Sequence, residues 1–502
     1  MKSFNNIAYL LLVVLGLCLF LFLDAKDITI LYDNTYSVFM SKMSYSDILH
    51  ITATDVHPPL YYWGLKAYSS IFGDSLFSFR IFSTLGVLAI LISGCIPIRK
   101  LFGDKVAISF ILLIILFPIT QYLATEIRMY SWTMFFVLSC ALSAYYVFLE
   151  GKTIHWILFL LSGILSAYLH NYGLLSVLGI YFLLLIAFIY KKKNIRNIVF
   201  CALAFSVAYL PWLLQLITQM ESVSEEYWIK SLAKNDLFLH IYYLYSPKEI
   251  WQPFTLFSKT QMVISLVLLM SVQLLLTLIA FASWIKSRSK DIYIAAFSFL
   301  TFIIPILIGA VLSIVYTPIL VPRFMTCSLA LFALSLAVVL AKVYELKTAR
   351  WLFYSFWFLL SIDASVRVYS NLSYYKQTEV AYIELRDFVS KEDSVPEFVV
   401  NDFSYHVMPR LQLIVPRGEY TLLLEEDSLD IRPFCLREIK KKYLELDRFI
   451  LVHQQREAVQ NDFRCFLHSL SERYVVTDSL YATDIYLYKL KKLKTELDVL
   501  NY

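Results

Sequence analysis

The chain has 502 residues and a formal net charge of +5 at pH 7; 59% of its residues are hydrophobic and 17% are charged. Soluble domains are about 45–50% apolar and about 25% charged, so this composition excludes an ordinary soluble globular protein. The net charge is small for the length and does not indicate a nucleic-acid partner. Apolar runs of about 20 residues recur along the chain, each long enough to cross ~30 Å of hydrocarbon, and they indicate a polytopic α-helical membrane protein.

We predict about eleven membrane-spanning helices from these runs. Their approximate ranges are 7–23, 79–98, 106–123, 131–149, 156–169, 173–190, 197–217, 262–284, 292–314, 324–342 and 351–368. The first run also has features of a signal peptide. It is long, however, and the residues from Asp24 to Asp27 offer no small-residue cleavage pattern, so we interpret it as the first spanning helix.

Lysine and arginine are concentrated in every second loop. The basic residues of these loops are Arg99, Lys100, Lys105, Lys152, Lys191 to Lys193, Arg196, Lys286 to Lys290, and Lys342 to Arg350. The positive-inside rule places such loops in the cytoplasm. We therefore expect the intervening loops on the outer face, including two long ones at about 24–78 and 218–261 of a transmembrane domain that covers residues 1–368.

The composition changes after residue 369. Strand-like runs at 398–400, 422–424, 449–452 and 485–488 alternate there with charged, helix-like stretches. This pattern predicts a soluble α/β domain over residues 369–502, which an odd number of spans places outside the cytoplasm. Cys435 and Cys465 lie in this domain, and two interpretations stay open: a disulfide, or two unpaired core cysteines.

The first outer loop begins with an acidic residue, Asp33, directly after the first span. A carboxylate at this place is suited to accept a proton from an attacking hydroxyl group. The structural alternative is a solvated aspartate or a helix N-cap, since Asn34 and Thr35 are also good capping residues.

The same loop continues with Asp55-Val-His57-Pro-Pro-Leu-Tyr61-Tyr62. Two prolines end a helix before them and favour a new helix start after them, so His57 is expected at a turn close to Asp55. Such a turn can present an imidazolium to a phosphate, with Tyr61 and Tyr62 as hydrogen-bond donors. The alternative is a helix-start turn with interfacial aromatic residues.

Charged residues also occur between the third and fourth spans, in Glu126-Ile-Arg128-Met-Tyr130. Charge at membrane depth is costly and marks a functional candidate. The planar guanidinium of Arg128 suits a phosphate. A surface Glu126–Arg128 pair that merely ends a helix is the alternative.

Two further candidates stand at span ends. His170 and Asn171 join the fifth and sixth spans and suit a sugar hydroxyl or a phosphate, although the same residues are ordinary turn formers. Arg323 follows Pro322 at the start of the tenth span and is either a fixed cation for a lipid phosphate or an arginine that snorkels to headgroups. No Cys/His metal spacing is present, so a divalent metal is not indicated and no cofactor is expected.

Together these strings resemble one family. An acid after the first span, the turn His57-Pro-Pro-Leu-Tyr-Tyr62, the string Glu126-x-Arg128-x-Tyr130 and a late Pro-Arg323-Phe resemble the polyprenyl-phosphate-sugar glycosyltransferases of the GT-C fold class. The class includes protein O-mannosyltransferases and lipid A aminoarabinose transferases. The resemblance covers about residues 1–345, and its most specific parts are the His-Pro-Pro-Leu-Tyr-Tyr and Arg-x-Tyr strings.

The resemblance implies an inverting transfer of a sugar from a polyprenyl-phosphate carrier to an acceptor hydroxyl on the outer face of the membrane. It implies Asp33 as the base, His57 facing the lipid phosphate, and Arg128 and Arg323 stabilising the leaving phosphate. The acceptor class, whether glycan, lipid or protein, stays open. Members commonly have Asp-Glu after the first span, and this chain has Asp33-Asn34, which keeps Asp55 as an alternative base.

Three other classes of protein are alternatives to a glycosyltransferase. A membrane transporter or lipid flippase often has duplicated halves and helices broken by Gly or Pro near mid-depth. This chain has 12 Gly, 14 Pro and no evident repeat, which disfavours that class. A non-catalytic assembly protein and a glycan polymerase or ligase with a diphosphate-linked donor stay open. Low glycine content and short loops favour a bacterial inner membrane, with the site facing the periplasm.

Overall fold

The computed structural model describes residues 2–30, 32–225, 229, 242–245, 259–390, 397–400, 404–415, 418–422, 446–454, 470–471, 473–482 and 485–493. The contacts within the chain divide it into two compact units. The helical unit comprises Met1–Asp27, Tyr45–Gly73 and Phe77–Leu372, and the sheet unit comprises Ile28–Ser44, Asp74–Leu76 and Ser373–Tyr502.

Helices form most of the described chain, because backbone groups in hydrocarbon must pair within their own segment. In chain order they are α1 (Lys2–Lys26), α2 (Tyr32–Lys42), α3 (Tyr45–Thr54), α4 (Leu60–Phe72), α5 (Leu76–Ser93), α6 (Arg99–Phe102), α7 (Asp104–Leu116), α8 (Pro118–Thr125), α9 (Tyr130–Leu149), α10 (Thr153–Leu169), α11 (Asn171–Tyr190), α12 (Arg196–Glu225), α13 (Lys259–Ser287), α14 (Asp291–Val315), α15 (Leu329–Glu345), α16 (Arg350–Ser390) and α17 (Ser404–Ile414). A π-turn, Gly94–Ile98, connects α5 to α6, and a 3₁₀ helix, Pro322–Ser328, precedes α15.

The polytopic helical fold expected from the sequence is confirmed. Among the described residues, 8 helices are long and apolar enough to cross a membrane, or up to 9 if the bent pair α7–α8 is one span. The remaining two predicted spans, 156–169 and 351–368, also lie on helices. The first is the shorter apolar helix α10, and the second is the start of α16, which carries Asp363 and Arg367.

The break between α7 and α8 positions a functional loop. Pro118 begins α8, and Phe117 before it is extended, with φ −63° and ψ 121°. Proline cannot donate a backbone hydrogen bond and disfavours a helical residue before it, so the chain bends by 63° at this point. The short helix α8 then ends at Thr125, directly before Glu126.

The sheet unit contains five described strands in the order β2-β1-β3-β5-β4. They are β1 (Glu397–Val400), β2 (Glu419–Leu422), β3 (Arg448–Gln454), β4 (Tyr474–Ala482) and β5 (Ile485–Lys492). Strand β1 is parallel to β2 and β3, whereas β5 is antiparallel to β3 and β4. Apolar side chains including Val399, Phe449 and Leu451 form a core against the sheet.

Three of the four strand-like runs lie within β1, β3 and β5. Leu422 of the run 422–424 is the last residue of β2, and residues 423–424 lie outside the described residues. Strand β4 was missed, because polar residues from Thr477 to Ser479 interrupt its apolar pattern and leave it largely exposed. The sheet unit also includes α2, which packs against α17. The domain division at residue 368 stays a prediction. The sequence assigns residues 28–44 and 74–76 to the transmembrane domain, whereas the contacts group them with the sheet unit.

Some expectations concern residues that the structure does not describe. Cys435 and Cys465 lie outside the described residues, as does most of the second outer loop, at 226–228, 230–241 and 246–258.

Candidate functional site

Loops from four parts of the sequence meet within the helical unit. The imidazole rings of His57 and His170 lie 5.2 Å apart between centroids. Tyr130 lies 5.5 Å from the His170 ring, and Phe324 lies 4.9 Å from it. These four residues come from the loop after α3, the start of α9, the α10–α11 connection and the 3₁₀ helix before α15, so tertiary packing brings together candidates that are far apart in sequence.

The turn that carries His57 is held from both sides. Helix α3 ends at Thr54, and the backbone N–H of Asp55 donates to the carbonyl of Ile51 at 3.1 Å. Helix α4 begins directly after the two prolines, at Leu60. The amide Nδ2 of Asn171 donates to the Val56 carbonyl at 3.0 Å, so the start of α11 fixes the turn.

Arg128 reaches the same region from the α8–α9 connection. Its backbone N–H donates to the Glu126 carbonyl at 2.8 Å, which tightens this short loop. Its Nη1 donates to the hydroxyl of Tyr62 at 3.1 Å. Arg128, Glu126 and Tyr62 are all buried, so the guanidinium is held in a region of low dielectric.

His170 has a defined proton arrangement. It precedes α11 in an extended conformation, and its Nδ1 accepts a hydrogen bond from the backbone N–H of Tyr172 at 3.0 Å. Because Nδ1 is an acceptor, the neutral ring carries its proton on Nε2 and donates from there. His170 Nε2 and His57 Nδ1 are buried and have no hydrogen-bond partner among the described residues.

Burial lowers the pKa of His170 to about 3 and that of His57 well below its usual value of 6.5. The nearby guanidiniums of Arg128 and Arg323 lower both pKa values further. Desolvation and like charge both oppose a second positive group. The lowered pKa therefore favours a neutral His57, whereas the sequence predicted an imidazolium.

Arg323 completes the positive side of the site. It is the second residue of the 3₁₀ helix that begins at Pro322, and its guanidinium lies 5.8 Å from the centre of the Phe324 ring. Two fixed guanidiniums beside two neutral imidazoles create a positive field with N–H donors, which suits a phosphate or another anion.

A cavity of about 150 Å³ opens beside the two histidines. Its lining is mainly apolar and comes from α11, α12, α14 and the segment before α15. The apolar members include Leu174, Leu216, Met220, Leu312, Ile319 and Phe324. His57, His170 and Asn171 line the part next to the histidine pair, and Gln219 and Thr317 are further polar lining residues. A cavity that is apolar along most of its wall and polar at one part fits an amphipathic ligand.

Three predicted residues lie differently from the others. The Tyr61 hydroxyl is 3.3 Å from Ser83 Oγ on α5, which gives this side chain a packing contact. Asp55 is partly buried in the turn before His57. Asp33 lies in the first turn of α2, which belongs to the sheet unit.

Several residues near the site were not predicted as members. Tyr243 hydrogen-bonds Tyr122 and lies near Tyr130, Arg323 and Glu126, and burial raises the pKa of its phenol. The sequence showed it only as one of several loop tyrosines. Arg80 was also missed, although a single arginine at the edge of an apolar run was the signal that found Arg323.

The helical unit and the five-stranded sheet unit define a polytopic membrane protein with a C-terminal α/β unit. The chain matches no protein-family model, and no curated protein sequence is significantly similar to it. Solved structures do share its fold. The crystal structure of ArnT from Cupriavidus metallidurans in the apo state has a TM-score of 0.61 and 10% sequence identity, over 96% of this chain and 97% of that chain.

The crystal structure of the same ArnT bound to undecaprenyl phosphate has a TM-score of 0.58 and 11% identity, again over 96% of this chain and 97% of that chain. At this identity the similarity shows the fold alone. The fold is the GT-C type that the motifs of the sequence implied.

Proposed function

We propose that the protein is a membrane glycosyltransferase that moves a sugar from a polyprenyl-phosphate carrier to an acceptor hydroxyl, with inversion, on the outer face of the membrane. One observation carries the proposal. Two buried imidazole nitrogens, on His57 and His170, have no partner among the described residues and lie beside Arg128 and Arg323 at the polar part of an apolar cavity. Buried polar atoms normally have partners, so this arrangement fits an anionic lipid headgroup. The ArnT structure with undecaprenyl phosphate supports a carrier of this class.

The proposed reaction follows from charge. As the bond between the anomeric carbon and the phosphate oxygen breaks, its electron pair goes to the phosphate, which gains negative charge. The guanidiniums of Arg128, which is buried, and of Arg323, which is partly buried, stabilise that charge. His170 Nε2–H donates a further hydrogen bond, and the apolar cavity takes part of the polyprenyl chain.

The acceptor oxygen attacks the anomeric carbon from the opposite face and loses its proton to a carboxylate. Asp33 is the proposed base, because it matches the acid of the family motif. Asp55 is the alternative and lies two residues before His57 within the helical unit. We propose a bacterial inner membrane with the site facing the periplasm, on the strength of the alternating basic loops. The acceptor is a glycan, lipid or protein.

The test compares cells that lack the protein with cells that carry Asp33→Asn or Asp55→Asn. Lipid-linked sugars and surface glycans are measured by mass spectrometry. We expect a polyprenyl-phosphate sugar to accumulate in the deletion cells and in Asp33→Asn cells, while one surface product loses a sugar. If Asp55→Asn alone reproduces the deletion, Asp55 is the base. If neither variant nor the deletion accumulates a carrier sugar, the transferase proposal is wrong and a transporter or flippase is favoured.

A further inference from the structure

A second group of polar side chains is buried where α1, α5 and α8 meet in the helical unit. Arg80 Nη1 lies 3.0 Å from Asp27 Oδ2, and both side chains are 0% exposed. Four residues after Arg80, the hydroxyl of Thr84 donates to Asp24 Oδ2 at 2.7 Å. Asp24 lies in the last turn of α1 and Asp27 directly follows that helix, while Arg80 and Thr84 lie one turn apart on the same face of α5.

The same two α5 side chains also bind the end of α8. Arg80 Nη1 donates to the Thr125 carbonyl, and the Thr84 hydroxyl lies 3.3 Å from the Ala124 carbonyl. These carbonyls belong to the last turn of α8, where no further helical N–H is available to pair with them. Arg80 therefore caps the C-terminus of α8 through a side chain of another helix. Thr84 supports the same turn, with its single hydroxyl proton shared between Asp24 and the Ala124 carbonyl.

Arg128 follows this capped end by three residues. Glu126 is extended, with φ −75° and ψ 128°, and the chain turns directly into α9 at Tyr130. The loop is too short to absorb a shift of α8 without moving Arg128, whose Nη1 contacts Tyr62 at 3.1 Å. The position of the guanidinium is thus linked to the bonds that hold Thr125.

We propose that Arg80 and Thr84 are positioning residues, which hold the end of α8 so that Arg128 faces the phosphate of the lipid carrier. The inference rests on the proposed function, because it takes Arg128 to bind that phosphate. Arg80 and Thr84 act through the backbone of α8 and do not touch the carrier themselves.

A gain in stability alone does not explain why these charged side chains are buried together. Desolvating an arginine and an aspartate costs as much as their attraction returns in many proteins, and a well-packed apolar pair is often as stable. The apolar replacement Arg80→Met/Asp27→Leu is therefore expected to fold. It removes the donor to Thr125 together with the paired carboxylate of Asp27, while Asp24 keeps its hydrogen bond with Thr84.

The experiment is a double-mutant cycle on the full chain in detergent, with undecaprenyl phosphate as the binding probe. We expect Arg80→Met/Asp27→Leu and Thr84→Val each to weaken binding of the probe, the former by about tenfold, and Arg128→Gln to weaken it at least as much. In the Arg128→Gln background the α5 variants should have little further effect, because residues that act through one group are not additive. Arg80→Lys keeps a cation and donors, so it should restore most of the affinity.

The matched control is a second buried ion pair of the helical unit. Arg367 and Asp363 form two hydrogen bonds, of 2.9 and 3.0 Å, within α16, and their side chains are 1% and 2% exposed. Asp363→Leu/Arg367→Met removes the same charges and is expected to change the melting temperature without changing the affinity for the probe.

The outcomes separate the two proposals. The positioning role is wrong if the α5 variants bind the probe normally. It is also wrong if they weaken binding equally in the unmodified protein and in the Arg128→Gln background. If Arg128→Gln itself binds normally, the phosphate-binding role of Arg128 in the proposed function is what fails. Thr84→Val exchanges the hydroxyl for a methyl group of similar size, so it decides the question even if the double replacement at Arg80 and Asp27 does not fold.

Discussion

At the residue scale, two histidines with lowered pKa values lie beside the two arginines of the site. The histidines are neutral because the protein has removed them from water and surrounded them with cations. A neutral imidazole donates a hydrogen bond without adding charge, so Arg128 and Arg323 supply the positive field while His170 supplies direction. Sequence reasoning found all four residues and expected an imidazolium at His57. Burial and the neighbouring guanidiniums lower its pKa, and those neighbours are not visible in the local sequence.

These lowered pKa values predict an acid-sensitive fold. In the unfolded chain a histidine takes up a proton as the pH falls through about 6.5, whereas in the folded protein His57 and His170 do not. The contribution of the two histidines to the free energy of unfolding is therefore fully present above that pH, and it is lost as the pH falls below it. We expect the melting temperature of the purified protein to drop between pH about 7.5 and about 5.5.

The replacement His170→Asn should flatten this pH dependence, since Asn keeps the acceptor at the start of α11 without titrating. The exposed His50 provides the control, and His50→Asn should leave the profile unchanged. A His170→Asn profile as steep as that of the unmodified protein would assign the acid sensitivity to other groups.

Tyr61 and Tyr62 are adjacent and equally buried but have different partners. The Tyr62 hydroxyl accepts from Arg128, whereas the Tyr61 hydroxyl pairs with Ser83. We expect Tyr62→Phe to weaken binding of undecaprenyl phosphate by an amount equivalent to about 1–3 kcal/mol, because the guanidinium loses a fixed partner. Tyr61→Phe should have a much smaller effect on binding, measured in the same assay. Equal effects would place both tyrosines at the carrier.

At the element scale, broken helices place the functional loops. Proline ends or bends the chain at positions 58, 118 and 322, and a candidate site residue lies beside or shortly after each break. The bend before α8 shortens that helix to Pro118–Thr125, so the Arg128 loop begins where Arg80 and Thr84 can hold it. Proline positions were visible in the sequence, but the partner that fixes each loop was not.

The crossing of α5 and α9 provides an element-scale prediction. A Cβ atom added at Gly86 would lie 3.0 Å from the backbone of both Ser131 and Trp132, at the start of α9. Backbone cannot yield as a side chain does, so Gly86→Ala should destabilise the protein by about 1–3 kcal/mol and displace the start of α9. Thermal unfolding measures the first effect, and weaker carrier binding reports the second.

Gly163→Ala on α10 is the matched control. Its added Cβ would meet the Val177 side chain at 3.3 Å, and that side chain can adjust. A smaller loss of melting temperature is expected. If the two alanine variants are equally stable, the α5–α9 contact is looser than the structure indicates.

At the scale of the whole molecule, segments distant in sequence share a folding unit. Helix α2 directly follows the first span, yet it packs against α17 of the sheet unit. Ending the chain after Ser390 removes α17 and every strand, so α2 loses this partner. We expect proteases to cut within Tyr32–Lys42 of the truncated protein and not of the full chain, as measured by limited proteolysis with mass spectrometry.

Cleavage in the basic loop Lys191 to Lys193 serves as the reference in that experiment, because it lies within the helical unit and should be the same in both proteins. An uncut α2 in the truncated protein would show that α2 folds without α17.

The sequence by itself determined the membrane class, the approximate ranges of the spans and the polar residues that gather around His170. The physical reason is that a helix needs about 20 apolar residues to cross the hydrocarbon of a membrane. A polar or charged residue within or beside such a run is therefore easy to recognise. Arg128, His170 and Arg323 were found in this way. Strand β4 was not, because a largely exposed edge with Thr477 and Ser479 lacks an apolar pattern.

Only the tertiary structure decided how these residues meet. It brought His57 to His170, gave Tyr62 rather than Tyr61 the contact with Arg128, and placed Asp33 in the sheet unit. It also joined Arg80 to the carbonyl of Thr125, 45 residues away. Such contacts depend on how the helices pack in space, which the local periodicity of the sequence does not specify. Burial then shifts the pKa values of the groups that meet.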